Sequence, residues 1–138
     1  MLNFTIKELV HSDNAIKAGI ANTPNIEQVD NLLNLIFYCL QPIRDKLKKP
    51  MIITSGFRNS QVNFLAGGAI NSGHLNGTCA DFVVKGMSIE QVYQFIKKSG
   101  VKYTQLIQEK GKWIHIQYNP ANLKCENLRF DGKNYIKD

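Results

Sequence analysis

The sequence predicts an α+β fold: a small single domain in which helices pack on an antiparallel sheet. Three observations predict it. The 138 residues, 43% hydrophobic and 20% charged, suit one enclosed core with ordinary globular usage. The first third carries apolar residues at helical spacing. The remainder mixes short β-branched runs with one further helical stretch and ends in a hairpin pattern.

Taken in order, Thr5 is a candidate N-cap with Glu8 three residues on, which predicts a short opening helix over 5–11. After Pro24, Asn25 leads into a stretch with Val29, Leu32, Leu33, Ile36, Phe37 and Leu40 on one face. This is the main core helix, with Pro42 the place for a bend. MIITSGF, from Met51, reads as a buried strand stopped by a Ser-Gly turn, and 60–70 as a helix ending near Gly67 and Gly68. INSGHLNGT is loop, CADFVVKG a strand starting near Ala80, and 88–99 a serine-capped helix closed by Gly100. YTQLIQE and WIHIQY flank Lys110-Gly111-Lys112 as a hairpin with a three-residue loop. Beyond Asn119-Pro120, residues 119–138 read as an irregular tail in which NLRF and NYIK can add short edge strands. One domain is expected over 1–138.

Composition excludes several classes. The start MLNFTIKELV lacks the basic and apolar pattern of a secretory signal, and no run approaches the length of a membrane span, so cytoplasmic synthesis without a membrane partner is expected. Cys39, Cys79 and Cys125 are odd in number and scattered, which predicts free thiols rather than a disulfide framework. The net charge of +6 and pI near 9.3 suit attraction to a polyanion. The lysines are dispersed, however, without the clustered face or interleaved aromatics of a nucleic-acid surface, so no nucleic-acid partner is expected.

Of three histidines, two lie where chemistry is plausible. His74 sits in the polar loop six residues before Asp81, and His115 alternates with Trp113 and Gln117 in the hairpin. Two imidazoles and a carboxylate are a common catalytic zinc set, whose open fourth position takes a water with its pKa lowered to about 7. The spacing alone is also met by a strand histidine paired to a neighbour and an aspartate bonded to loop backbone.

TSGFR at 54–58, SGHLNGTCADF at 72–82 and WIHIQY at 113–118 resemble the signature blocks of zinc D-Ala-D-Ala carboxypeptidases and the related L-Ala-D-Glu endopeptidases. The resemblance is closest to their short, phage-associated branch and covers about residues 3–118. It implies the fold shared with the Hedgehog signalling domain, zinc held by His74, Asp81 and His115, and peptidoglycan stem peptides as substrate. It places Ser55 and Arg58 on a block whose arginine engages a substrate carboxylate or developing oxyanion, a role that suits a bidentate guanidinium. Ser72 is expected to orient the loop or touch substrate, and Gly77 to take a positive φ.

The chain departs from the usual pattern at Gly73, where Gln is common, and at Cys79, where Ala is common. Cys79 is read as a small core residue, because a strand neighbour of even offset need not converge on the metal. The glutamate that many relatives carry four residues before the last histidine is Gly111 here. Glu109 is the substitute: an odd-length loop pairs it with Trp113 and turns it to the face of His115. The expected function is hydrolysis of muropeptide bonds, in lysis through a phage holin or in wall recycling. The alternative is an inactive zinc-stabilised binding module of the same fold.

Overall fold

The computed structural model describes residues 2–138. Thr5 caps α1 (Ile6–Val10) through a 3.1 Å bond from the Glu8 amide to its Oγ1. Ser12 likewise caps a second short helix, α2 (Asp13–Ala18), which six residues were too few to reveal by periodicity. The main helical run opens at Asn25 with a reciprocal capping box to Gln28 and divides into α3 (Ile26–Leu35) and α4 (Gln41–Leu47). A π-helical turn, Ile36–Leu40, joins them, with the Gln41 amide bonding back to Ile36. Pro42 explains the irregularity, since it has no N–H to offer the preceding turn and its ring crowds that turn's carbonyl.

Strand β1 (Met51–Ser55) is followed by α5 (Ser60–Leu65), shorter than expected, and by a 3-10 turn at Gly73–Asn76 inside the polar loop. Then come β2 (Cys79–Val84), α6 (Ile89–Lys98), β3 (Gln105–Glu109) and β4 (Trp113–Gln117). The tail is not irregular: β5 (Glu126–Phe130) and β6 (Tyr135–Lys137) extend the sheet; NLRF lies in β5, an interior strand rather than the edge expected, and Tyr135–Lys137 of NYIK forms the edge strand β6.

The six strands are ordered β1-β2-β4-β3-β5-β6. All neighbours are antiparallel except β3 and β5, which run parallel from Gln105↔Glu126 to Glu109↔Phe130, so the sheet is mixed rather than purely antiparallel. The parallel pair arises because the chain leaves β4, crosses over residues 118–125 and returns in the direction of β3.

Alternation along the strands sorts the two faces. Ala80, Phe82, Val84, Leu106, Ile114 and Ile116 point into the core, against Leu32, Leu35, Ile36 and Ile43 of the helical run and Val92, Tyr93 and Ile96 of α6. Burial of each large aliphatic side chain there contributes roughly 1.5–3 kcal/mol. The intervening residues, Asp81, His115, Ile107 and Leu128 in one row and Trp113, Glu109, Phe130 and Tyr135 in the next, share the opposite face. That face is the floor of a cleft of about 860 Å³. No helix among the described residues is long and apolar enough to cross a membrane.

Candidate metal centre and active site

Asp81 and His115 are directly paired across β2 and β4, and the His115 Nδ1 to Asp81 Oδ1 distance is 2.8 Å. His74 arrives from the loop, its Nε2 3.3 Å from Asp81 Oδ2. Two backbone features hold that loop in place. Gly56 lies so close to α1 that a Cβ there would be 2.2 Å from the Leu9 carbonyl oxygen, while its own carbonyl accepts a 2.6 Å bond from His74 Nδ1. With Nδ1 carrying the hydrogen, Nε2 presents its lone pair to the cluster, free to bind a cation beside Asp81. Gly77 takes the expected positive φ, +74°, and a side chain there would meet the Gln28 carbonyl oxygen at 2.7 Å. Gln28 and Asn31 of α3 then bind the carbonyls of Leu75 and Asn76.

The Ser72 hydroxyl accepts from the His74 amide at 3.2 Å, and Ser72 lines the cleft, so it orients the loop at the site's rim. Ser55 serves Arg58: its Oγ accepts from Arg58 Nε at 3.0 Å, while Nη1 donates to Asn63 Oδ1 at 3.2 Å. Arg58 Nη2 stands 3.7 Å from Asp81 Oδ2. The guanidinium is thereby anchored on one edge and presented to the cleft beside the cluster.

Cys79 is wholly buried, as a core residue would be, but it also converges on the cluster, contrary to the sequence reading. Its Sγ and one ring nitrogen from each of His74 and His115 all lie within 4.8 Å of one another. An even offset is what brings it there, since Cys79 and Asp81 share a face and Cys79 stands across from Gln117, two residues along from His115.

The four groups perturb one another. Burial lowers the His74 pKa, but Cys79 and Asp81 more than offset this and raise it to about 9; the same neighbours raise His115 well above the usual imidazole value. Burial pushes the Cys79 thiol up, and the two imidazoles outweigh it, bringing the thiol down to about 7. Asp81, desolvated but bonded by both histidines, is held far below the carboxylate range. A cluster of this kind exchanges protons for a cation, because metal ligands bind in their deprotonated forms.

Glu109 stands across from Trp113 and shares the face of His115. It is buried, lines the cleft and has neither a side-chain hydrogen bond nor an ion pair among the described residues. Burial raises its pKa, with His115 and Lys110 acting against that rise. The cleft continues past it to Lys110, Leu128, Phe130 and Tyr135, residues the sequence reading did not single out. Three of these come from the tail strands, whose placement depends on a non-local parallel pairing.

Zinc fits these donors. Bonds of about 2.0–2.1 Å at tetrahedral angles place two nitrogen or oxygen ligands about 3.3 Å apart. The separation of His74 Nε2 from Asp81 Oδ2 is 3.3 Å, while His115 Nδ1 and Asp81 Oδ1, joined by a hydrogen bond, stand closer at 2.8 Å.

A two-layer α+β domain with imidazoles, carboxylates and an anchored guanidinium converging on one sheet face defines a metal-hydrolase type of protein. Its sequence agrees: the profile of the Peptidase M15 family matches residues 2–117, and the chain belongs to that family. No curated protein matches the chain. Strands β5 and β6 lie beyond the matched residues.

Proposed function

We propose that the protein is a zinc-dependent peptidase that hydrolyses D-amino-acid-containing stem peptides of peptidoglycan. The observation that carries this reading is Glu109, a buried carboxylate without a side-chain partner among the described residues that opens onto the same cleft as His74, Asp81 and His115. A carboxylate with a raised pKa in a cleft is suited to proton transfer.

His74 Nε2, His115 Nδ1 and Asp81 would hold the ion, which when bound supplies Lewis acidity and lowers the pKa of water toward about 7. Glu109 takes the proton of the attacking water on a carboxylate oxygen. It then delivers that proton to the departing amine nitrogen, so the peptide bond breaks without releasing an unprotonated amine. Arg58, held by Ser55 and Asn63, offers its N–H groups to a substrate carboxylate or to the oxygen that gains charge as the carbonyl is attacked. Ser72 keeps the His74 loop in register.

Incubating the zinc-loaded protein with defined muropeptides and reading the products by mass spectrometry tests the proposal. The expected result is loss of one amide bond at a fixed position, which also distinguishes removal of a C-terminal residue from internal cleavage. An intact substrate in the presence of stoichiometric zinc would overturn it. That result would favour the same fold acting as a zinc-stabilised wall-binding module, a reading that draws on the buried thiol beside the two imidazoles.

A further inference from the structure

The motif that brings His74, Asp81 and His115 together has no need of Cys79, yet the fold delivers a thiol to the same point. Three features of the chain make this possible. Strand alternation puts Cys79 on the face of Asp81, and the pairing with β4 sets it opposite Gln117. The side chain is fully buried, with Sγ close to ring nitrogens of both histidines. Finally, residue 73 is a glycine: a Cβ built there would lie 3.2 Å from Cys79 Sγ and 2.9 Å from Gln117 Nε2. The bare backbone at Gly73 therefore relieves crowding where Gln117, Thr78 (3.0 Å from that Cβ) and the Cys79 sulfur meet.

We infer that Cys79 is a metal ligand, adding a sulfur donor to the nitrogens of His74 and His115, which lie within 4.8 Å of it, and to the Asp81 carboxylate that both imidazoles contact. The inference rests on the reading of this cluster as a zinc site. Binding forms one metal–sulfur bond and releases the thiol proton to solvent, with no change of oxidation state. With Cys79 bound, two nitrogens, one oxygen and one sulfur would fill the four positions that zinc ordinarily uses, so the water of the proposed reaction would join as a fifth ligand, an expansion that catalytic zinc sites make in the transition state. A soft thiolate also biases the site toward zinc and away from magnesium or calcium.

The test uses the metal alone. Cobalt(II) titrated into the metal-free full chain is expected to saturate at one per chain and to give a near-ultraviolet thiolate-to-cobalt charge-transfer band. Cys79→Ser and Cys79→Ala should lack that band, although Cys39 and Cys125 remain, and should bind zinc at least about tenfold more weakly, a loss already typical of removing a supporting partner. X-ray absorption of the zinc-loaded parent provides a check that needs no variant: a sulfur scatterer at about 2.3 Å is expected. Stoichiometric cobalt with no charge-transfer band, or a zinc shell of nitrogen and oxygen only, overturns the role of Cys79 and leaves the zinc site standing. Failure of the parent to bind either metal overturns both.

Discussion

Glu109 and Trp113 stand directly opposite each other across the β3–β4 hairpin, and this pairing turns the Glu109 carboxylate to the face that carries His115. The three-residue loop sets the parity. Lys110 and Gly111 both take positive φ, +57° and +70°, which lets the chain reverse and keeps the strands in that register. One residue fewer would direct the carboxylate into the helical layer.

Glu109→Gln retains size and hydrogen-bonding capacity and removes the base. General acid–base assistance is typically worth about 10²–10⁴-fold, so cleavage should fall by that order while zinc content and thermal unfolding stay those of the parent. Steady-state rates on a muropeptide that the parent cleaves measure it. An unchanged rate removes Glu109 from the chemistry.

His74→Ala, Asp81→Ala and His115→Ala each delete a donor, and Asp81→Ala also leaves two imidazoles without the carboxylate that bonds them. Each variant should retain well under one zinc per chain after dialysis, read by elemental analysis. Full occupancy in all three would show that the metal, if bound, lies elsewhere.

Much of this site was legible because local sequence encodes it. Thr5, Asn25 and Ser88 announce helix starts, the loop parity fixes Glu109, and Asp81 and His115 fall on strand positions whose direction follows from alternation, whereas His74 is aimed by a 3-10 turn. What escaped depends on space rather than order. The π-helical turn before Pro42 needs the strain of a continuous helix to be felt, and β5 acquires its place from a parallel partner about twenty residues upstream. Cys79 is buried as a core residue would be, but its approach to the two imidazoles was missed because an even offset was taken to separate it from them, when sharing a face is what brings it near.

Arg58→Lys keeps the charge but loses the fork that reaches Ser55 and Asn63 together. Turnover should drop by about tenfold or more, with zinc retained, because a poorly oriented cation stabilises developing charge less well. Kinetics alongside metal analysis separate this outcome from simple loss of the site; equal kinetics would reduce Arg58 to a structural cation.

The hairpin of β5 and β6 is fastened to α6 by Arg129, whose Nη1 and Nη2 lie 2.6 and 2.9 Å from the two Glu90 carboxylate oxygens. Arg129 holds the Glu90 carboxyl down to about 2 from an ordinary 4.5, with Gln94 and Gln108 assisting. A depressed carboxyl stabilises the fold above its unfolded pKa and loses that contribution as pH falls through its folded pKa. The parent should therefore unfold at a higher temperature than Glu90→Gln near pH 6, with the difference shrinking between about pH 4.5 and 2. The effect should be modest, since the pair is solvent-exposed. Melting curves of both proteins across that range measure it, and a gap independent of pH would mean that Glu90 acts through packing alone.

Tyr135 and Phe130 pack with ring centroids 4.5 Å apart, and both line the cleft that contains the metal cluster. Lys110 Nζ sits 5.5 Å from the Trp113 ring centre and 5.9 Å from that of Phe130, so this end of the cleft is an aromatic wall with one cation. Tyr135, on β6, lies three strands from His115 on β4, too far for a part in bond breaking but well placed to hold the body of a peptide. Interactions that are equal in ground and transition states raise KM when removed and leave kcat alone. Tyr135→Ala should accordingly raise KM several-fold, at the low end of the roughly 1–3 kcal/mol of a lost pocket contact because the ring is more than half exposed, with kcat and zinc content unchanged. A fall in kcat at constant KM would instead place Tyr135 among the groups that act on the transition state.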